Sequence, residues 1–451
     1  MERRPFLASA AAIIGSWAVP QSFANLLNAG VQRKPRVLRP VKDASTGLQL
    51  ICLPEDFRYA TFGWTGDLLD DGSLTPGDHD GMAVIADNDG ELTLCRNHEL
   101  SVHSEIQSKR SDAYDPWAAG GCTNLVFNSK TGSWGKSWMS LSGTVKNCAG
   151  GPTPWNTWLS CEESVLEHGD VDKDKTVKLD AAHGYIFEVP ATGIAKPLPI
   201  KAMGRFVHEA VAIDPRTGIV YETEDRTPAG FYRFLPNTPG RLLEGGKLQM
   251  LSVRGNPDLI QAAELGASYD VDWVLIDEPD RAHSPGTKDS GGVFTQGSLK
   301  GGSAFARLEG CWWGNDLCYF VSTSGGRAKS GQVWQYDPKA SVLKLVFEST
   351  GPDMLDKPDN LTVSPRGGLV ICEDGDRIPQ KLHTLSLDGM IADFAWSNVQ
   401  LRGERNGIKG DFRGSEWSGA SFSPDGRWLF VNLQSPGISF AITGPWESVG
   451  L

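Results

Sequence analysis

The eight cysteines form no Cys-x-x-Cys pair, which excludes a paired-thiol zinc site and a thioredoxin-type redox motif. Beyond the first 24 residues no apolar run reaches the ~18 residues that a membrane-spanning helix needs, so the mature chain is expected to be soluble. There is no basic excess: the formal net charge is −12, and nucleic acid is excluded as a general partner because no positive field would hold its phosphates. Histidine is scarce, with 8 in 451 residues. Helical periodicity is nearly missing too; Pro257 to Ser268 alone reads as a short helix.

The chain does hold 52 Gly, 27 Pro and 15 Trp, a composition that suits many short strands joined by tight turns. Its length fits either two or three domains or one large repeat-built β domain. Glu2-Arg3-Arg4-Pro5-Phe6-Leu7 leads into the apolar run Ala8 to Val19, with small residues at Ser22 and Ala24. That order is the one found in a signal peptide, here with cleavage after Ala24, leaving 25–451 as one domain. The paired arginines before Phe-Leu resemble a twin-arginine signal, against the plainer reading of an ordinary secretion signal. Either leads to a periplasmic or extracellular protein, and a monomer is expected.

Most of the chain reads as strands and turns. Six apolar runs end on polar clusters: Glu91 to Cys95 on Asn97-His98-Glu99, Asn156 to Cys161 on Glu162-Glu163, Gly218 to Tyr221 on Glu222-Thr223-Glu224-Asp225, Leu317 to Val321 on Ser322-Thr323, Gly368 to Cys372 on Glu373-Asp374, and Arg427 to Val431 on Asn432-Leu433-Gln434. Turns such as Asp214-Pro215-Arg216-Thr217-Gly218, Ser364-Pro365-Arg366-Gly367 and Ser423-Pro424-Asp425-Gly426 introduce several of them; Pro sets the first turn position and Gly the positive-φ one. Mostly recurring every ~50–65 residues, these units predict an all-β fold, a six-bladed β-propeller with inserted loops. The wide gap at about 226–310 is expected to hold insertions, including the polar 284–303 stretch as a candidate lid or cation loop.

Radial closure would bring the strand ends together into an oxygen-rich pocket of the kind calcium prefers. Candidates are Glu99, Glu162, Glu163, Glu222, Glu224, Asp225, Glu373, Asp374 and Glu416, with Asn97, Asn124 and Asn360 as neutral oxygen donors. Each alone reads as a solvated or salt-bridged group; as a set their mutual repulsion calls for cations. Glu209 stands in an apolar strand, where a lone carboxylate needs a partner. Arg307 and Glu309 share a strand face, either as a plain salt bridge or as a phosphate-gripping guanidinium beside a metal-binding carboxylate. Asp359 and Asn360 enter a strand from a Pro-set turn. Of the thiols, Cys95, Cys161 and Cys372 fall within apolar runs and read as core. Cys148, in the Gly/Pro-rich Asn147-Cys148-Ala149-Gly150-Gly151-Pro152, has no counterpart in the other units and is expected in a loop.

Taken together, Asn147-Cys148-Ala149-Gly150-Gly151 with Cys161-Glu162-Glu163, Gly204-Arg205-Phe206 with His208-Glu209, Tyr221-Glu222-Thr223-Glu224-Asp225, Arg307-Leu308-Glu309 and Pro358-Asp359-Asn360-Leu361-Thr362 resemble the PhoX-type alkaline phosphatases, over about Gly90 to Gln434. The resemblance implies a six-bladed propeller with a cluster of calcium (Ca2+) and iron (Fe3+) around an oxo bridge, acting on small phosphomonoesters outside the cytoplasm. It implies Cys148 as the thiolate ligand to iron, Glu209, Glu309, Asp359 and one of Glu162 and Glu163, with Glu163 favoured, as metal ligands, and Arg307 as the phosphate contact, acting with Glu309 in catalysis. A soft thiolate among carboxylates fits such a mixed site. Two other readings stay open: a calcium-dependent lactonase or esterase propeller, which would need no thiolate, and a non-catalytic secreted calcium-binding propeller.

Overall fold

A computed structural model describes residues 36–105, 112–261, 263–283 and 291–451. The expected leader, 1–24, lies outside the described residues, as do residues 284–290 of the polar stretch. Strands follow one another through antiparallel hairpins and fall into six groups. The first is His79–Asn88, Glu91–His98, Gly120–Asn128 and Ser133–Thr144. The second is Asn147–Pro152, Thr157–Glu162 and Ile186–Pro190. The third is His208–Ile213, Val220–Glu224, Phe231–Pro236 and Gly246–Val253, and the fourth Leu308–Gly314, Leu317–Ser322, Gln332–Asp337 and Val342–Glu348. The fifth is Pro358–Val363, Leu369–Glu373, Lys381–Leu385 and Ile391–Ser397, extended outward by Ile51–Leu53 and Arg39–Val41. The sixth joins Trp417–Phe422, Trp428–Leu433 and Ile438–Thr443 to Arg58–Phe62 from the other end of the chain.

The chain is thus all-β and propeller-like, but its hydrogen bonding does not divide it into six separate four-stranded sheets. Ser268–Leu275 pairs with both Gly246–Val253 and Val342–Glu348, fusing the third and fourth groups into one nine-stranded sheet. A strand with two free edges gains ladder hydrogen bonds on each side by bridging, which leaves neither outer edge unpaired. The 226–310 stretch, expected to hold inserted loops, supplies this bridge and the two outer strands of the third group. The described residues of Pro257 to Ser268 form no helix: Leu259 N–H donates to Ala304 O and Ala304 N–H to Pro257 O, an isolated bridge at Asp258 followed by bends and a turn. The α-helix among the described residues is Val293–Leu299, inside the polar stretch.

The first strand of each group is the inner one, and these pack in turn as a closed ring: His79–Asn88, Asn147–Pro152, His208–Ile213, Leu308–Gly314, Pro358–Val363, Trp417–Phe422 and back. Apolar clusters fill the wedges between groups. Phe231 of the third and Phe320 of the fourth stack with centroids 4.1 Å apart. Small residues let the inner strands close in. A Cβ on Gly81 would lie 2.5 Å from Ala149 Cα, one on Gly310 2.6 Å from Asp359 O, and one on Gly419 2.5 Å from Asp80 O. Gly81→Ala is therefore expected to destabilise the protein by ~1–3 kcal/mol, because backbone rather than a flexible side chain must give way. A urea midpoint equal to wild type would show that these strands do not meet so closely.

Candidate metal centre

The same local device is repeated around the ring. Between the pairs His79↔His98 and Met82↔Arg96, Asp80 and Gly81 together face one partner residue. Such a bulge breaks the alternation of side chains and re-aims the inserted one. Equivalent register shifts hold Cys148-Ala149, Glu209-Ala210, Glu309-Gly310 and Asp359-Asn360 in the next four inner strands. In the sixth strand the shift comes one pair later and holds Gly419-Ala420, with no ligating side chain.

A second repeat lies at the strand ends. In every group the residue before the inner strand accepts, through its carbonyl, the N–H of the residue after the second strand: Asp78 from Glu99, Lys146 from Glu163, Val207 from Asp225, Arg307 from Thr323, Lys357 from Asp374, Glu416 from Gln434. Eleven side chains from these three kinds of repeat position line one cavity of ≈ 180 Å³. Its walls are Asp80, Cys148, Glu209, Glu309 and Asp359 from the bulges, Glu99, Glu163, Asp225 and Asp374 from the second-strand ends, and Arg307 and Glu416 from the entry positions. Three subsets are spaced to hold a cation: Asp80, Glu99 and Glu416; Glu209, Glu309 and Asp359; Asp359, Asp374 and Glu416.

The charge balance is heavily negative. Arg307 donates to both oxygens of Asp225 at 2.9 and 3.0 Å and to Glu309 at 2.6 Å. Lys146, at the rim, pairs with Glu163 and lies 3.3 Å from Glu99. Nine carboxylates thus face two cations, and burial with mutual repulsion pushes protons onto them. Burial and then Asp374 raise Asp359 to about 8, and burial and then Glu163 raise Asp225 to about 6. Asp80, Glu209, Glu309 and Glu416 are driven well up for the same reasons. Burial and then Glu209 raise the Cys148 thiol, whose Sγ donates to His208 O at 3.2 Å. Asp80 Oδ1 is buried without a partner. Buried carboxyls and a thiol with these needs fit a bound cation better than solvent, since metal can replace each displaced proton.

The structure separates the sequence candidates. Cys148, Glu163, Glu209, Glu309, Asp359, Glu99, Asp225 and Arg307 all line the cavity, with Asp374 and Glu416. Cys148 is not in a loop without counterpart: it sits in Asn147–Pro152 at the bulge position shared with Asp80, Glu209, Glu309 and Asp359. The polar clusters follow second strands, whereas Cys148 belongs to an inner one, so its counterparts stand elsewhere in each unit. Glu162 lies outside the cavity; its oxygens accept from Val145 N–H, His183 Nδ1, Gly184 N–H and Tyr185 N–H. Glu224, raised to about 7 by burial, accepts from Gly230 N–H and Tyr232 OH. Glu222 is buried beside His208, 3.6 Å away, and Glu373 accepts from Asp356 N–H and His383. Asn97 donates to Cys148 O and Ala149 O at 3.0 and 2.7 Å, holding the bulge rather than facing the cavity. Asn124 donates to Pro190 O and Asn360 accepts from Gly419 N–H. Sequence reasoning missed Asp80. Its signal was present in the recurrence of an acid or thiol followed by a small residue, in Asp80-Gly81, Cys148-Ala149, Glu209-Ala210 and Glu309-Gly310.

Residues 38–137 and 130–437 match the family model of alkaline phosphatase PhoX. The chain belongs to the PhoX family. That family is metal-dependent, in keeping with the acidic groups converging here. No curated protein matches the chain. Among solved structures, a gluconolactonase of Xanthomonas campestris matches over 92% of this chain and 99% of its own at 13% identity, TM-score 0.43. The WD40 β-propeller domain of Doa1 matches over 86% and 98% at 10% identity, TM-score 0.40. A putative TolB of Agrobacterium tumefaciens matches over 82% and 92% at 12% identity, TM-score 0.38. Among the described residues no helix is long and apolar enough to cross a membrane.

Proposed function

We propose that this PhoX-family protein is a phosphomonoesterase that works with calcium and iron, on a six-bladed propeller exported by a twin-arginine-type leader. The observation that carries the reading is the meeting of a thiol, nine carboxylates and one guanidinium in a single cavity at the axis of the ring. The six-bladed reading is supported by six inner strands in a closed ring, each with a bulge. Cys148, Glu209, Glu309, Asp359 and Glu163 would hold the iron and its neighbours, the thiolate favouring a transition metal. Asp80, Glu99, Asp374 and Glu416 offer oxygen alone, the preference of calcium. When bound, the metals supply Lewis-acid neutralisation of phosphoryl charge and lower the pKa of water.

The chain's own residues then bind and orient. Arg307 presents guanidinium donors at the cavity wall to equatorial phosphoryl oxygens as their charge spreads. Asp225 fixes the plane of that guanidinium by accepting from Nε and Nη2, and Glu309 accepts from the same Nη2. No His lines the cavity, so proton transfer by imidazole has no part in the scheme.

Metal analysis of the purified protein with a p-nitrophenyl phosphate assay tests the reading. Iron and calcium are both expected in wild type. Cys148→Ser is expected to lose most of the iron and at least ~10²-fold of the activity, because a hydroxyl seldom replaces a thiolate at a soft site. Calcium without iron, and unchanged metal in Cys148→Ser, would overturn it in favour of a calcium-only site.

A further inference from the structure

The three entry positions occupied by basic residues, Lys146, Arg307 and Lys357, share more than charge. All three have left-handed backbone, with φ of 48, 48 and 53°, as does Asp78 at the first entry position with φ of 45°, and all make the carbonyl hydrogen bond described above. That conformation belongs to the repeat, since it recurs at four of the six entry positions; the side chains, not the backbone, set these residues apart. Their ammonium and guanidinium groups then diverge. Lys357 Nζ turns outward to the exposed Asp376 at 2.8 Å. Lys146 turns inward, onto the cavity-lining Glu163 and Glu99. Glu163 adjoins Asp225, the bidentate partner of Arg307, so the rim carries a row of cation, acid, acid, cation: Lys146, Glu163, Asp225, Arg307. The two cations are also alike in exposure, 37% for Lys146 and 35% for Arg307, whereas Glu309 behind them is at 4%.

We infer that Lys146 is a second phosphoryl contact, gripping a peripheral oxygen of the substrate from the opposite end of the row to Arg307. The assignment rests on the phosphomonoesterase reading. A row with a cation at each end suits a dianionic group with three free oxygens, and so favours monoesters over diesters, which keep two. Glu163 and Glu99 are the acids that would hold metal, and the Lys146 ammonium they now share would then be free to face a bound anion.

The test uses the metal-loaded protein with inorganic phosphate and p-nitrophenyl phosphate. Lys146→Asn keeps a residue that tolerates left-handed backbone, so the fold and melting temperature are expected to hold. Its phosphate Kd, read by calorimetry, is expected to rise roughly 10- to 100-fold, the scale of one charge-assisted hydrogen bond, with iron and calcium content unchanged. Lys146→Arg is expected to recover most of the affinity, and Lys357→Asn to bind phosphate as wild type does. An unchanged Kd in Lys146→Asn overturns the assignment, and so does loss of metal from that variant, which would make Lys146 a support for Glu163 instead. Wild-type protein that hydrolyses p-nitrophenyl phosphate while Lys146→Asn does so equally well overturns Lys146 alone; wild-type protein that binds no phosphate overturns the phosphomonoesterase reading with it.

Discussion

Arg307→Ala is expected to lower kcat on p-nitrophenyl phosphate by ~10²–10³-fold, the cost of removing one preorganised donor aimed at developing transition-state charge. The guanidinium is held at three points, by both oxygens of Asp225 and by Glu309, so little reorganisation is needed when substrate arrives. Burial alone would pull its proton affinity down, but Glu309 and Asp225 reverse this and drive it up, so it stays charged at alkaline pH. The carboxylates freed by its removal keep their places on the bulge and strand end, and metal content is expected to stay at wild-type level. Arg307→Lys is expected to restore only part of the rate, because a point charge cannot hold Asp225 and a phosphoryl oxygen with one planar fork. Wild-type turnover in Arg307→Ala would remove it from the mechanism.

The metal-stripped protein is expected to lose stability as pH rises, with the loss centred between about pH 4 and pH 8. The sign follows from the direction of the shifts. Asp225 and Asp359 have folded-state values of about 6 and about 8, above the ordinary 3.8. The folded state therefore binds more protons than the unfolded chain between those limits, and stability falls with pH across them. Both groups are buried, and together they contribute on the order of several kcal/mol. Raising pH from 5 to 8 should lower the melting temperature of stripped protein by roughly 5–10 °C or more. Restoring iron and calcium should abolish the slope, because the cations take the place of the displaced protons and add binding free energy to folding. A stripped protein as stable at pH 8 as at pH 5 would mean that these carboxyls do not share one cavity.

Much of this architecture was legible from periodicity and turn chemistry. The six apolar runs that end on polar clusters are strands at nearly the expected bounds, for example Leu317–Ser322 and Leu369–Glu373. The three Pro/Gly turns each join an inner strand to its neighbour, in the third, fifth and sixth groups, with Gly218 and Gly426 at φ of 72 and 68°. The bridging Ser268–Leu275 was not legible, since nothing local tells a strand that its two edges will meet different partners. Within the polar clusters, alternation could not separate Glu163 from Glu162 or Asp225 from Glu224. In each pair the residue just beyond the strand faces the axis, and the one inside it is met by backbone N–H groups and neighbouring side chains.

What the sequence by itself determined is the strand inventory, the crowd of acids and the family likeness carried by its motifs, because these rest on composition, local periodicity and short spacings. What only the tertiary structure decided is which acids meet. That outcome depends on register: five bulges each displace one side chain off the strand's alternation, and closure of the ring brings Asp80, Cys148, Glu209, Glu309 and Asp359 to one axis from inner strands far apart in the chain.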